Sequence, residues 1–271
     1  MLAVGALSAT STGAVPVAAP AMSICLSVVS HGQAHLSNLL LGDLTGITRP
    51  DRLVLTTNVP DGTPLQSHGL TVQHLANPSP LGFGANHNQA FKVAREEFFC
   101  VCNPDIRLPV DPFPALLEAM NDPKVGLVAP LVVSPAGQPE DSARRFPTPI
   151  GLLRKAIGGD DGRYRIPFAE GASPVPVDWA AGMFLLFRAS AFRSVGGFDD
   201  KFHLYYEDVD ICARLWKAGW KVVVSPRTSV VHAAQRASRR QPRYMAWHAG
   251  SMARYFMKHL GRLPSTLPVA D

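Results

Sequence analysis

Short apolar runs alternate with amphipathic stretches through the first 130 residues. The runs at 24–29 and 97–102 are almost continuously apolar, as central strands of parallel sheets are. Residues 52–57 and 70–75 predict two further strands, and each run is followed by polar or turn-forming residues. Helical spacing of leucines at 36–44 and a glycine-rich turn at 82–86 predict helices between the strands. This alternation predicts an α/β layered domain with a mostly parallel central sheet and helices on both faces.

The later part of the chain predicts an interruption and then a return to the sheet. Residues 134–176 are rich in proline, glycine and charge, which favours a long surface excursion over a second domain. Strands are predicted at 177–187, 221–225 and 229–232. The boundaries we expect are a disordered extension at 1–22, one domain at 23–235, and a basic helical segment at 236–271. The first 21 residues carry no charge and no pattern able to bury a face.

An acidic cluster opens the helix predicted from residue 208 to Gly219. Glu207, Asp208 and Asp210 lie in its first turn, where the helix dipole favours negative charge. Asp208 shares a face with the apolar residues three, four and seven positions further on: Ile211, Cys212 and Leu215. Asp210 lies on another side and is expected to pair with Arg214. Helix-start acidity explains Glu207 and Asp210, whereas a carboxylate heading a buried stripe is costly unless it is used or paired.

Polar residues stand where several predicted strands end. Asn58 and the segment Asn103-Pro104-Asp105 follow apolar runs, and Asn86 lies at a helix start beside them. In open α/β sheets, ligands bind outside the carboxyl ends of the strands. These positions predict an open nucleotide cleft at that edge.

Charge and cysteine content narrow the range of partners. No apolar run reaches the roughly 18 residues needed to span a membrane. The net charge of +5 is concentrated at the C-terminal end, where eleven basic residues and one acid follow Ile211. This predicts an anionic partner, which by charge alone is a membrane surface, a nucleic acid or a phosphorylated substrate. The four cysteines are expected to be small buried side chains in a reducing compartment, and Cys100-Val-Cys102 lacks the spacing of a zinc site.

The segment 243–262 predicts a helix with two contrasting faces. One carries an apolar stripe of Met245, Ala249, Met252, Phe256 and Leu260. The other combines cations with large aromatics: Arg243, Tyr244, Trp247, Arg254, Tyr255, Lys258 and Arg262. In one interpretation the stripe docks on the domain and the aromatic-cationic face meets an anionic membrane. In the other the aromatics pack under a neighbouring loop and the cations are merely solvated.

Six short motifs occur along the chain in an order that carries a family resemblance. They are Gly-Phe-Gly-Ala-Asn at 82–86, Asn-Pro-Asp at 103–105, Asp-Trp-Ala-Ala-Gly at 178–182, Gly-Gly-Phe-Asp at 196–199, Tyr-Glu-Asp-Val-Asp at 206–210 and Val-Val-His at 230–232. With these motifs the chain resembles the inverting family 2 glycosyltransferases over residues 23–260, most of all the rhamnosyltransferase-like enzymes of bacterial polysaccharide assembly. The resemblance implies a GT-A fold, a nucleotide-sugar donor, and a glycan or lipid-linked glycan acceptor. It also implies a cytoplasmic enzyme with peripheral contact at the inner face of the plasma membrane, and no nucleic-acid partner.

The resemblance also implies roles for the residues of the catalytic centre. Asp208 matches the family's general base, with Glu207 as its supporting partner. Asp105 and His232 match the ligands of a divalent cation, Mg²⁺ or Mn²⁺. Asn103 stands where the family has the first Asp of Asp-x-Asp, which weakens the anionic character of the site. Without the resemblance, the alternative interpretation of His232 is a histidine satisfied at a strand end.

Donor and acceptor positions follow from the same resemblance. The donor is expected to contact Ser30, Asn58, Gly84, Asn86, Asn103 and Asp105. The acceptor is expected to contact Asp178 and Trp179, although a tryptophan there also suits the core.

Two other functions compete with sugar transfer. A sugar nucleotidyltransferase shares the layered fold but needs a basic, glycine-rich phosphate loop after the first strand, and Ser30-His31-Gly32-Gln33 carries no lysine or arginine. A non-catalytic carbohydrate- or nucleotide-binding protein leaves the inward position of Asp208 unexplained.

Overall fold

A computed structural model describes residues 22–47, 50–233 and 242–264. All of the expected extension at 1–22 except Met22 therefore lies outside the described residues, as does the segment 234–241. Seven helices occur in the described part: α1 Ala34–Asp43, α2 Phe83–Val93, α3 Phe113–Ala119, α4 Pro149–Ala156, α5 Ala189–Ser194, α6 Glu207–Lys217 and α7 Pro242–His259.

The strands form one large sheet and one small one. Their bounds are β1 Ile24–His31, β2 Arg52–Val59, β3 Val72–Ala76, β4 Phe98–Cys102, β5 Ile106–Arg107, β6 Val125–Val133, β7 Ala143–Arg144, β8 Val175–Pro176, β9 Trp179–Ala180, β10 Phe184–Arg188 and β11 Lys221–His232. The large sheet runs β3-β2-β1-β4-β10-β6-β11-β5, with β8 also on β11. Strands β3, β2, β1 and β4 are parallel, as are β6 and β11, whereas β10 is antiparallel to both of its neighbours. The mostly parallel sheet is thus confirmed.

Alternate residues of β1 point to opposite faces of the sheet, and each face has its own core. Ile24, Leu26 and Val28 pack with α1 and α3, while Cys25 packs with the core that includes α2, α5 and α6. The expected helices on both faces are confirmed. The four cysteines are free and buried, as expected.

Two parts of the strand prediction need correction. The run at 177–187 is not one strand: β9 ends at Ala180, and β10 begins at Phe184 after a turn through Gly182. Conversely, 221–225 and 229–232 belong to one strand, β11, whose pairing with β6 shifts between Ser225 and Ser229. An irregularity of this kind resembles a strand break in the sequence, although the strand continues through it.

Helix α7 is present, but the expected docking face is only partly correct. Met252 and Phe256 of the apolar stripe pack against the core, whereas Met245 and Leu260 are 68% and 62% exposed. Ser251, Tyr255 and His259 are buried against the domain, and Ser251 donates a hydrogen bond to the carbonyl of Leu204 (2.9 Å). The buried face thus includes Tyr255 of the aromatic-cationic side, while Arg243 and Arg254 of that side are exposed.

None of the helices in the described ranges is both long and apolar enough to cross a bilayer.

Candidate active site

Asp208 heads α6 at the edge of the sheet where the parallel strands end. Its Oδ2 accepts a hydrogen bond from the backbone amide of Gly182 (3.1 Å), and its Oδ1 accepts one from Val209 (2.8 Å). The three apolar residues that share its helix face, Ile211, Cys212 and Leu215, are fully buried. Burial raises the pKa of Asp208, while the two amides oppose this by stabilising its charge. The result is a fixed carboxylate with increased basicity.

A cavity of about 920 Å³ opens in front of this carboxylate. Asn103 lines it from the end of β4, and Met183 and Gly182 line it from the start of β10. The amide of Asn103 donates to the carbonyl of Met183 (2.9 Å), so the two strand ends are joined beside Asp208. The cavity is large enough for a sugar and the group that receives it.

The turn that leads into α6 is strained. Tyr205 and Tyr206 both have left-handed backbone conformations, with φ of 69° and 66°. Non-glycine residues in this region cost of the order of 1–3 kcal/mol each and concentrate at functional sites. Here the ring of Tyr206 packs on Tyr255 and His248 of α7, at centroid distances of 5.3 and 5.4 Å. Helix α7 thus stabilises the turn that sets the position of Asp208, a role that no pattern in the sequence indicates.

Glu207 and Asp208 are adjacent carboxyl groups in different environments. Glu207 is only 5% exposed, and its Oε2 has no hydrogen-bond partner among the described residues. Burial, together with the charge of Asp208, raises the pKa of Glu207 well above its ordinary value. Burial raises the pKa of both groups, but only Asp208 has the amides of Gly182 and Val209 to stabilise its charge, so the two groups are suited to different roles.

Asp105 and His232 lie together, as the resemblance implied. The Nε2 of His232 is 3.3 Å from Oδ2 of Asp105, and its Nδ1 is 2.7 Å from Oε2 of Glu140. Burial lowers the pKa of His232, but the two carboxylates outweigh it and the net shift is upward. The Oδ1 of Asp105 is buried without a hydrogen-bond partner in the described part of the chain. Glu140 was not expected from the sequence, because it lies in the excursion at 134–176.

These residues fit a divalent cation only if a ligand completes its coordination. The described ranges contain no group of three or more His, Cys, Asp and Glu side chains arranged to hold a metal ion. Asp105 and His232 offer two ligands, and Glu140 orients the histidine as carboxylates do in metal sites. The remaining positions suit oxygens of a diphosphate and water.

Two of the expected donor contacts belong to a buried amide network. Asn58 and Asn86 are 4% and 1% exposed. Asn77 donates to the carbonyl oxygens of both side chains, and Asn58 also accepts from the amide of Leu81 (2.8 Å). The network fixes the loop before α2 to the end of β2, so both asparagines have a structural task. Their contact with a donor stays a prediction.

Gly84 and Ser30 occupy different settings. A Cβ at Gly84 would lie 2.5 Å from Cβ of Phe198, so close packing of α2 accounts for the glycine. Ser30 is buried at the end of β1 and lines a second cavity of about 470 Å³ with Thr57 and His74. The structure does not bring Ser30 and Asp208 into one cavity, and donor contact by Ser30 and Gly84 stays a prediction.

The two expected acceptor residues differ in their freedom to bind. Both line the cavity of Asp208. The carboxylate of Asp178 accepts hydrogen bonds from the amide of Phe146 (2.7 Å) and the hydroxyl of Tyr164 (2.8 Å). Asp178 therefore holds the excursion in place. Trp179 is half-buried and donates to the carbonyl of Arg145 (3.0 Å), which leaves part of its ring at the cavity.

Asp210 anchors α7 to α6. Its expected pair with Arg214 is confirmed at 2.7 Å, but Asp210 is fully buried and has two more partners. Lys258 and Nε2 of His259 approach its Oδ1 at 2.7 and 2.8 Å. Burial alone would raise the pKa of Asp210, but the hydrogen bond from His259 and the charges of Arg214 and Lys258 lower it to about 2. Helix-start acidity is therefore an insufficient account of this residue.

We expect Asp210→Asn to destabilise the protein at neutral pH by roughly 2 kcal/mol or more, because it removes a charge that three buried or half-buried groups share. A lowered folded-state pKa means that the contribution is complete above the unfolded pKa of about 3.8 and is lost as pH falls through about 2. Urea unfolding at pH 7 and at pH 3 should show a smaller difference between wild type and variant at the lower pH. Asp122→Asn, which breaks the half-exposed pair with Lys221, is the matched control, with an expected loss below about 1 kcal/mol. An Asp210 effect no larger than the control would contradict the anchoring role.

Comparison with known proteins identifies the family. Residues 103–258, more than half of the chain, match glycosyl transferase family group 2. Over 249 residues the chain is 32% identical to an N-acetylglucosaminyl-diphospho-decaprenol L-rhamnosyltransferase of Mycobacterium tuberculosis, covering 82% of this chain and 78% of that protein.

Two solved structures share the fold at low sequence identity. GalNAc-T7 with UDP, GalNAc and Mn²⁺ superposes with a TM-score of 0.61 at 16% identity, covering 81% of this chain and 45% of that one. The mannosyltransferase PcManGT of Pyrobaculum calidifontis, in complex with GDP-Man and Mn²⁺, gives 0.57 at 16% identity, covering 90% and 66%. Our chain thus spans less than half of the first of these structures. Taken together, the sheet, the sequence match and these likenesses show that the chain belongs to glycosyl transferase family group 2 and is a glycosyltransferase with the GT-A fold.

Proposed function

We propose that this glycosyltransferase moves a sugar, rhamnose in the first instance, from a nucleoside-diphosphate donor to a hydroxyl of a lipid-linked glycan, with inversion at the anomeric carbon. The observation that carries the proposal is the carboxylate of Asp208, fixed by the amides of Gly182 and Val209 at the wall of the 920 Å³ cavity. The rhamnosyl group and the lipid-linked acceptor are taken from the name of the mycobacterial relative. Family membership favours this function over nucleotidyl transfer and over binding without catalysis.

The chemistry assigns a separate task to each carboxyl group. Asp208 accepts the proton of the acceptor hydroxyl while the oxygen attacks the anomeric carbon. The bond to the diphosphate breaks on the opposite face of the sugar, and the nucleoside diphosphate leaves as an anion. Glu207, buried beside Asp208 with a raised pKa, takes no proton from the acceptor and supports the start of the helix.

Asp105 and His232 are the residues that would hold a divalent cation, Mg²⁺ or Mn²⁺. When bound, such a cation offsets the charge on the departing diphosphate. The Mn²⁺ in both solved structures supports this assignment, as does the unpartnered Oδ1 of Asp105. Asn103, at the cavity wall, adds a neutral amide on the donor side.

Acceptor-dependent release of nucleoside diphosphate tests the proposal. Purified protein is given a panel of nucleoside-diphosphate sugars, with Mg²⁺ or Mn²⁺, and a short-chain lipid diphosphate carrying N-acetylglucosamine. Release that rises at least tenfold with acceptor supports transfer. If the acceptor does not raise the rate of nucleoside-diphosphate release from any donor of the panel, the proposal is overturned.

Glu140 provides a further prediction. Glu140→Gln keeps an oxygen that can face Nδ1 of His232 but removes the charge that orients the ring, so we expect Mn²⁺ to bind about 10- to 100-fold more weakly in the presence of donor. Isothermal titration with Mn²⁺ and a donor measures this. Glu118→Gln, which breaks the exposed pair with Arg227, is the control and should bind normally. Equal Mn²⁺ affinity in both variants would exclude Glu140 from the site.

A cytoplasmic location with peripheral membrane contact belongs to the same proposal. A lipid-linked acceptor is held in a bilayer, so the cavity of Asp208 must come close to a membrane surface. On the face of α7 first expected to make this contact, Tyr255 is buried on the domain, while Arg243 and Arg254 are exposed.

A further inference from the structure

Helix α4 exposes more apolar surface than a helix packed on the domain does. None of its residues is buried. Three large aliphatic side chains are 66%, 64% and 77% exposed: Ile150 and Leu153 in the helix, and Ile157 directly after it. Their spacing of three and four residues places them on one face. Contiguous exposed apolar residues on a folded domain mark an interaction surface.

The same helix borders the cavity of Asp208. Ile150, Arg154 and Lys155 line the cavity wall, as does Arg145 from the loop before the helix. Arg145 has only an exposed pair with Asp160 at 3.6 Å, and the described residues include no ion pair to Arg154 or Lys155.

The chemistry of this face favours a bilayer over a protein partner. Aliphatic residues flanked by a cation suit a helix that lies in the headgroup layer. Arg154, four residues after Ile150, lies beside the aliphatic face, and the exposed Arg145 precedes the helix; both complement anionic headgroups. Helix α4 has eight residues, whereas a stable protein interface buries about 800 Å² on each partner, which is more than so short a helix provides.

We propose that the face formed by Ile150, Leu153 and Ile157 docks on an anionic membrane, with Arg154 at its side on the phosphates of the headgroup layer. Docking there brings the mouth of the Asp208 cavity to the bilayer surface. That this contact delivers the acceptor rests on the proposed function, whereas the docking itself does not.

Vesicle flotation without donor or acceptor tests the docking. Wild type should float with vesicles of phosphatidylglycerol and phosphatidylcholine, and not with phosphatidylcholine alone. The triple variant Ile150→Ser, Leu153→Ser, Ile157→Ser should lose roughly tenfold or more of the bound fraction. The control variant Leu39→Ser, Val110→Ser removes exposed apolar side chains on the side of the sheet where α1 and α3 lie, and should float as wild type does. Failure of wild type to float with the anionic vesicles at low salt, or an equal loss in both variants, would overturn the proposal.

A fluorescent reporter keeps the test independent of the triple variant. All four native cysteines are buried, so an exposed Leu153→Cys can be labelled selectively with an environment-sensitive dye. Its emission should shift to the blue on anionic vesicles, while the same dye on Val110→Cys should not respond. A shift in the absence of vesicles that grows with protein concentration would assign the face to a second copy of the chain instead, and would also overturn the proposal. Since no sugar donor is present, a failure of the proposed function would appear only in the release assay.

Discussion

Asp208→Asn is expected to lower kcat by about three to four orders of magnitude while the donor still binds nearly as in wild type. The substitution preserves the shape of the side chain and one oxygen, which can accept from either Gly182 or Val209, but it removes the group that takes the proton. Nucleoside-diphosphate release under saturating acceptor measures kcat, and titration with donor measures binding.

A control separates this effect from a change in helix position. Glu207→Gln alters the adjacent buried carboxyl group, to which the proposal gives no proton transfer, so the loss of kcat should be smaller than in the Asp208 variant. If Asp208→Asn retains more than about a tenth of wild-type turnover, Asp208 is not the base.

The second large effect concerns Asp105. We expect Asp105→Ala to abolish metal-dependent donor binding, because it removes the one carboxylate that the proposal places on the cation. His232 would then keep only its contact with Glu140, in which Nδ1 of the histidine lies 2.7 Å from Oε2 of the carboxylate. Donor titration with Mn²⁺ and with EDTA measures the metal-dependent part.

Asp43→Ala provides the comparison for folding. Asp43 pairs with Arg107, which lies two residues after Asp105 in the sequence. Loss of Asp43 therefore disturbs the same segment without touching the proposed ligands. Equal donor affinity in wild type with and without EDTA would remove the metal from the mechanism, whatever the variants do.

Local patterns in the sequence were sufficient for strands β1 to β4 and for α6. Continuous apolar runs predicted β1 and β4 because buried strands need no polar alternation. The pair between Asp210 and Arg214 was predictable because residues four apart meet on a helix. What failed depends on residues far apart in the chain. The burial of Asp210 follows from Lys258 and His259, and no local pattern connects α6 with α7.

The orientation of α7 shows a different limit. Periodicity identified its two faces, but both carry large apolar side chains, so amphipathicity could not decide which one packs. Specific contacts decided it: Ser251 reaches the carbonyl of Leu204, and Tyr255 stacks beside Tyr206. The left-handed conformations of Tyr205 and Tyr206 were equally unpredictable, because tyrosine has no preference for that region. The site thus depends on a strained turn and on the helix that supports it.

The stereochemistry of transfer tests the central claim most directly. The protein is incubated with a nucleoside-diphosphate sugar of known anomeric configuration and a soluble lipid-diphosphate acceptor, and the one-bond coupling between C1 and H1 of the transferred sugar is read by NMR. A single displacement with Asp208 as base predicts one product of inverted configuration, absent with Asp208→Asn. A product of retained configuration, or the same yield from the variant, would contradict it.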